Sequence, residues 1–429
     1  MQKIELLSPA GTLEKLKIAL SFGADAVYGG VSHFSLRIRS GKEFSMEEFK
    51  EGIDYAHARG KKVYTTINGF PFNSQLKLLK KHIIAMAELK PDAFIVATPG
   101  VLKLCHELAP NIPLHLSTQA NVMNVLDAQI YHEMGATRII TAREISLKDL
   151  VEIKKELPNL ELEVFVHGSM CFAYSGRCLI STLQSGRVPN RGSCANDCRF
   201  EYEIYAANPD TGTLFRLEED EGVGTYIMNA KDLNLASHMQ EILGSGVVDS
   251  IKVEGRTKTA YYAATTAKAY RMAIDDYYDD KLDSDKYQYE LQSLQNRGYT
   301  DAYLVSRPFE RNDTQSLDFS MQLGTHQVAG QVSKSGTYFL CKYKILPNDE
   351  LEIVAPLGSK IDIVDNEIGS TYERDGKMYM KLKQLVAENK KIWDEVHSGN
   401  VNPIKLPSSF PAYTFLRIPS NESMGTNPK

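Results

Sequence analysis

Thr12-Leu-Glu-Lys-Leu-Lys-Ile-Ala-Leu-Ser-Phe-Gly23-Ala-Asp-Ala-Val-Tyr28 holds one complete passage from helix to strand. Thr12 is a side-chain N-cap, Leu13, Leu16, Ala19 and Leu20 recur at helical spacing, and Gly23 closes the helix where a left-handed residue is favoured. The run from Ala26 is short and apolar, which reads as a buried strand. Gly135-Ala-Thr-Arg-Ile-Ile140 repeats the phrase. Ser45-Met-Glu-Glu48 is a capping box ahead of Phe49, Ile53 and Ala56, with Gly60 beyond the far end.

Strand-like segments of this kind recur at Lys3–Leu7, Ala26–Gly29, Lys62–Asn68, Ala93–Ala97, Leu114–Gln119, Arg138–Thr141, Leu162–His167 and Ser250–Glu254. Seven of them follow one another every 20 to 35 residues, the period of a strand joined to the next by a crossover helix. Eight such units predict a (β/α)₈ barrel of the TIM type over residues 1–275. No Gly-x-Gly-x-x-Gly follows the first strand, so a dinucleotide fold has no support. The interval between the seventh and eighth strands, about 80 residues, is anomalously long. Lys231–Leu243 reads as its helix, which leaves a cysteine-rich insertion over about residues 171–229. Such a loop lies at the carboxyl ends of the strands, where barrel active sites form.

A helix from Ala260 to Ile274 and a solvated acidic end, Asp275–Asp280, lead into a connector over 276–323. From Gly324 the pattern changes to strands at Gln327–Val332, Tyr338–Cys341, Glu350–Val354, Lys360–Val364 and Met378–Leu382, with turns at Ser335-Gly, Pro347-Asn-Asp and Arg374-Asp-Gly. This predicts a small C-terminal antiparallel β-barrel over 324–407 and a tail over 408–429, disordered from Glu422.

The start lacks a basic segment followed by an apolar one, and no apolar run approaches 18 residues, so the expected compartment is the cytoplasm, with no membrane partner. A net charge of −5 offers nucleic acid no global attraction, so any RNA contact is local. In a reducing compartment clustered cysteines are metal ligands before they are disulfides. Cys171, Cys178, Cys194 and Cys198 are separated by six, fifteen and three residues, unlike the short knuckles of structural zinc sites. That spacing favours a 4Fe–4S cluster, with structural zinc as the alternative. Cys105 and Cys341 stand alone among apolar residues and read as core.

The strand ends give a polar rim: Glu5, Tyr28, Asn68, Gln119, Arg143, Glu144, His167, Lys252, Glu254 and Arg256, with Arg37 and Arg39 on the second loop. Lys252-Val-Glu254-Gly255-Arg256 stands out, because loops after the last barrel strands commonly bind anions and Gly255 permits close backbone approach. Several arginines facing one pocket imply a dianionic small molecule or a phosphate. Neither His-Glu-x-x-His nor Gly-x-Ser-x-Gly occurs, and Ser169 and Ser175 beside His167 do not by themselves make a triad.

At His167-Gly-Ser-Met-Cys171-Phe-Ala-Tyr174-Ser-Gly-Arg-Cys178, continued by Gly192-Ser-Cys194-Ala-Asn-Asp-Cys198-Arg199, the chain closely resembles the collagenase-like peptidase family of unknown catalytic type. Ser8-Pro-Ala-Gly11, Ser117-Thr-Gln119 and Ala142-Arg-Glu144 extend the likeness over about residues 1–310. Despite the name, the family's better understood bacterial branches resemble RNA hydroxylases that carry a 4Fe–4S cluster and use prephenate to make 5-hydroxyuridine at the tRNA wobble position. Relatives act on ribosomal RNA cytidine or on a quinone precursor.

Carried onto this chain, the resemblance implies Cys171, Cys178, Cys194 and Cys198 as cluster ligands and tRNA as partner, in a homo- or hetero-oligomer or alone. Prephenate, a dicarboxylate, suits Arg37, Arg39, Gln119, Arg143, Lys252 and Arg256 as substrate-binding groups, and His167, Tyr174 and Glu254 are the candidate catalytic groups. Lys342, Lys344, Lys381, Lys383, Lys390 and Lys391 of the C-terminal domain could meet RNA phosphate. The competing expectations are a collagenase-like peptidase, as the family label says, and a non-catalytic assembly factor with a structural cluster.

Overall fold

The computed structural model describes residues 3–31, 34–35, 44–171, 173–187, 189, 193–200, 202–217, 229–308, 311–316 and 321–420, with backbone alone for 204, 206, 215–217, 311 and 312. Arg37 and Arg39 lie outside the described residues, as does the stretch after Ser420.

The first seven units run β1 Glu5–Pro9, α1 Leu13–Ser21, β2 Ala26–Gly29, α2 Met46–His57, β3 Lys62–Ile67, α3 Leu76–Glu88, β4 Ala93–Val96, α4 Pro99–Leu108, β5 Leu114–Leu116, α5 Val125–Glu133, β6 Ala136–Ile140, α6 Leu147–Glu156 and β7 Glu161–Ser169. The insertion follows, with α7 Ile180–Ser185 and a hairpin of β8 Ile204–Ala207 and β9 Leu214–Leu217. Then come β10 Asp232–Asn234, α8 Met239–Gly244, β11 Ser250–Val253, α9 Ala260–Tyr278, α10 Ser284–Gln292 and β12 Tyr299–Thr300. Each of β1 to β6 pairs in parallel with the strand that follows it, and β11 pairs in parallel with both β7 and β1. Eight parallel strands therefore close into the expected barrel.

The local signals act as the sequence predicts. Thr12 Oγ1 accepts from the Lys15 N–H at 3.3 Å, and both bonds of the Ser45/Glu48 capping box form. Strand residues such as Val27, Phe94 and Val96 are wholly buried, because helices cover one face of the sheet and the packed lumen the other.

Lys231–Leu243 is not one helix. Asp232–Asn234 pairs antiparallel with the end of β7, the Asn234 carboxamide accepts from the Ala236 N–H, and α8 starts only at Met239. Arg297 fixes this extra strand by donating to Asp232 at 2.6 Å in a buried pair.

The second unit is a curled, seven-stranded antiparallel sheet. Its strands are β13 His326–Val332, β14 Tyr338–Cys341, β15 Glu350–Val354, β16 Gly369–Arg374, β17 Lys377–Leu382, β20 Ile404–Lys405 and β21 Phe415–Pro419, with a small pair, β18 Leu385–Val386 and β19 Ile392–Trp393, beside it. Two expectations are corrected here. Lys360–Val364 is not a strand: Ile363 is 67 % exposed, and the partner of β17 is β16, joined through Asp375 and Gly376, both at positive φ. Residues 408–420 are not tail, because β21 lies between β15 and β13 in the middle of the sheet. Phe415 of β21 meets Phe22 and Tyr261 of the barrel, and Arg417, fully buried, donates to Glu290 at 2.7 Å and Glu352 at 2.6 Å.

Candidate active site at the barrel mouth

The carboxyl ends of the strands surround a cavity of about 160 Å³. Its floor is built from charge pairs that start below it. Glu163 of β7 has no solvent exposure and accepts from Lys252 Nζ at 2.8 Å and from Arg138 Nη1 at 3.0 Å. Arg138 in turn reaches Glu5 at 2.5 Å and Glu161 at 2.7 Å. Burial works against ionisation of Glu5, but Arg138 outweighs it and holds the carboxyl below its usual range. Glu5 stands at the amino end of β1, so it belongs to the barrel's lower half and not to the rim. Lys252 lies 4.2 Å from the centre of the Tyr28 ring and lines the cavity, and burial pushes its ammonium down despite Glu163.

Above this floor the Tyr28 hydroxyl lies 3.1 Å from Glu254 Oε2 and 3.0 Å from the Val253 carbonyl. Burial first, and then the Glu254 charge, raise its proton affinity far above normal. Arg256 Nη1 donates to Ser35 at 2.7 Å and to Thr66 at 3.1 Å, so hydroxyls from the second and third βα units aim its guanidinium. The Arg143 guanidinium stacks 4.1 Å from the Phe165 ring centre. Gln119 is locked by Ser117 and the Asn68 carbonyl, each at 3.1 Å. Tyr28, Asn68, Gln119, Arg143, Lys252, Glu254 and Arg256, expected on one rim from their places at strand ends, all line this cavity. Thr66, Phe165 and the deep Glu163 carry no sequence signal of their own, because their roles come from partners far away in the chain.

The cysteine loop forms the cavity's outer wall. Glu144 accepts from both the Ser175 N–H, at 3.1 Å, and the Ser175 hydroxyl, at 3.2 Å, and so ties the loop to the end of β6. Gly176, at φ 74°, lies against the Gln119 backbone, where a Cβ would collide. The second half folds back through α7: the Ala195 N–H donates to Ser181 at 3.1 Å and Ser185 to Asp197 at 3.4 Å. Arg199 donates to the Met170 carbonyl at 3.4 Å. In consequence Cys171, Cys178, Cys194 and Cys198 all line the one cavity, none in a disulfide. Burial raises the Cys178 and Cys198 thiols, and the neighbouring cysteines raise them further.

Four uncrosslinked thiols at one cavity match a soft metal in donor chemistry and in place. Among the described residues, however, no three His, Cys, Asp or Glu side chains stand close enough together to hold a metal ion. Ligation therefore requires the thiols to turn toward one another. Cys105 and Cys341 are buried, as expected, and burial pushes the Cys105 thiol up to about 12.

His167 is not in the cavity. Along β7, Glu163 and Phe165 face the lumen, and strict alternation would bring His167 inward after them. The register between β7 and β11 shifts there, with Lys252 opposite Phe165 but Val253 opposite His167, and this bulge turns the imidazole outward. It lies among Tyr262, Tyr270 and Tyr299, with Nδ1 3.4 Å from the Tyr270 hydroxyl. Burial, helped by Lys258, lowers it to about 3, so it is neutral. Tyr174 does line the cavity, but at 66 % exposure and with no hydrogen-bond partner for its hydroxyl among the described residues.

A family model described as Peptidase family U32 matches residues 11–314. A Helicobacter pylori protein named tRNA hydroxylation protein P is 60 % identical over 417 residues, covering 97 % of this chain and 99 % of its own. Its Escherichia coli namesake is 37 % identical over 401 residues, with 84 % and 88 % covered. A Porphyromonas gingivalis protein named collagenase is 28 % identical over 316 residues, with 71 % and 74 % covered.

Proposed function

The chain belongs to peptidase family U32, and from that membership we propose that it is a tRNA hydroxylase whose four clustered cysteines hold an iron–sulfur cluster and whose cavity takes prephenate or a similar dicarboxylate. Two relatives named for tRNA hydroxylation align along most of the chain. The single observation that carries the reading is the meeting of Arg143, Arg256 and Lys252 with four free thiols around one cavity.

Each cation has a distinct part. Arg256, aimed by Ser35 and Thr66, offers a fork that suits one carboxylate, and Arg143, clamped on Phe165, offers a second. Lys252 lies deeper, where Glu163 offsets its charge, and favours an anion above it. Tyr28 and Glu254 form a donor and acceptor pair at the cavity wall, which holds a proton at the Tyr28 oxygen and aims it at the carboxylate. Cys171, Cys178, Cys194 and Cys198 would hold the cluster, which when bound supplies one-electron chemistry beside that pair. Gln119, fixed at both ends of its carboxamide, gives the cavity a rigid polar wall.

Two observations weigh against proteolysis. His167 is buried among tyrosines away from the cavity, and the Ser175 hydroxyl is bound to Glu144. The test is mass spectrometry of tRNA nucleosides from a strain lacking the gene. Loss of 5-hydroxyuridine supports the proposal. An unchanged tRNA profile, with the change found in ribosomal RNA or a quinone, or digestion of denatured collagen by the purified protein, overturns it.

A further inference from the structure

The lysines of the C-terminal domain are mostly committed to other contacts. Lys344 pairs with Glu395 at 2.7 Å, Lys381 with Glu350 at 3.3 Å and Lys383 with Asp365 at 2.5 Å, while Lys391 covers Trp393 at 4.0 Å. Residues 324–420 carry twelve basic and eleven acidic side chains, close to neutrality.

The cysteine loop is different. Residues 169–200 hold four arginines, Arg177, Arg187, Arg191 and Arg199, against one acid, Asp197, in a chain whose net charge is −5. Asp197 is buried and accepts from Ser185 inside the loop, so it does little to offset the surface charge. Arg177 and Arg187 are exposed, and among the described residues neither forms an ion pair. The same loop exposes Tyr174 at 66 % and Phe200 at 52 %, on the segments that also carry the cavity's thiols. Exposed aromatic rings cost hydration unless a partner covers them. Flat rings interleaved with unpaired guanidinium groups are the combination that fits unstacked bases on a phosphate chain.

We propose that the outer face of this loop, through Tyr174, Arg177, Arg187 and Phe200, is the surface on which a single-stranded stretch of RNA lies. Tyr174 and Phe200 stack on bases, Arg177 and Arg187 meet phosphates, and the nucleotide between them reaches the cavity that Tyr174 borders. The inference rests on the RNA-hydroxylase reading and gives it a recognition surface. A tRNA anticodon loop supplies such a single strand; a duplex does not.

The test is fluorescence anisotropy of the full-length protein, purified without oxygen, with an unmodified tRNA transcript and with an RNA duplex of equal length. Wild type should prefer the tRNA. Tyr174→Ala should weaken it about five-fold or more, as loss of one base stack does, while Tyr174→Phe should bind as wild type. Replacing Arg177 and Arg187 together by Ala should make the plot of log affinity against log salt shallower by about 1.4, the share of two single-strand phosphates. Loop variants that bind as wild type overturn the inference, as does affinity lost instead in Lys342→Ala/Lys390→Ala/Lys391→Ala. Wild-type protein that binds no RNA also overturns it. If deletion of the gene still removes 5-hydroxyuridine in that case, the loop inference alone has failed; if the tRNA is unchanged, the RNA-hydroxylase reading has failed with it.

Discussion

Lys252 and Glu163 face each other in the centre of the barrel, Nζ 2.8 Å from Oε1, with 4 % and 0 % of their side chains exposed. Neighbouring strands β11 and β7 place them there, Lys252 one step above Glu163 on the lumen side. The pair sets a cation at the cavity floor without leaving a buried charge uncompensated.

Glu163→Ala removes the shared acceptor of Lys252 and Arg138. The buried Lys252 then loses its ion-pair partner while Arg138 keeps Glu5 and Glu161, and stability should fall by about 3–5 kcal/mol, the usual cost of breaking a buried pair from one side. Urea unfolding should show a lower midpoint at an unchanged slope.

His167 gives a pH signature. Its imidazole is lowered from 6.5 to about 3 by burial. Between those values the unfolded chain binds the proton and the folded chain does not, so stability rises with pH through that window and is lost as pH falls through it. His167→Phe should flatten the stability profile between pH 6.5 and 3 and leave tRNA hydroxylation at pH 7 within about two-fold. A profile as steep as wild type would show that the acid sensitivity arises elsewhere.

Arg417 joins the two units. It is fully buried and donates to Glu290, on α10, and to Glu352, on β15. Arg417→Met leaves two buried carboxylates with Lys268 as the remaining ion-pair partner of Glu290, so a loss of about 3–5 kcal/mol is expected by calorimetry or denaturant titration. Burial works against ionisation of Glu290, but Lys268 and Arg417 hold it at about 2, so the wild-type bond persists through mildly acidic pH.

Much of this was legible from local sequence, and the misses share one cause. The Thr12 cap, the Ser45/Glu48 box and the Gly23 and Gly135 stops depend on neighbours a few residues away, so the barrel could be read directly. The placing of β21 between β15 and β13, the swap of Lys360–Val364 for β16 and the outward turn of His167 depend on pairing with distant strands. So does the fate of Glu5 and Glu163, whose partner Arg138 is on β6. The rim residues were visible because they stand at strand ends. Their hydrogen-bonded supports, Ser35 and Thr66, were not, because neither carries a charge or a motif.

Arg256, above the cavity floor, tests the proposed dicarboxylate site. Arg256→Ala should weaken use of the dicarboxylate by about 10- to 100-fold, in keeping with loss of a charge-assisted hydrogen bond pair worth about 1.5–3 kcal/mol. Arg256→Lys should recover little, because a lysine cannot present the fork that Ser35 and Thr66 aim. Steady-state assay with the co-substrate varied would show the loss in its KM. Unchanged kinetics in both variants would remove Arg256 from the site.

The most direct measurement is complementation of the deletion strain with wild type or Cys178→Ser, followed by nucleoside mass spectrometry of the tRNA and metal analysis of both proteins purified without oxygen. Wild type should restore 5-hydroxyuridine and carry iron with acid-labile sulfide, whereas Cys178→Ser, folded and present in equal amount, should lose both the cluster and the modification. Full restoration by Cys178→Ser, or wild-type protein holding zinc without iron, would contradict the claim that these thiols build a redox centre at the mouth of an anion-binding barrel.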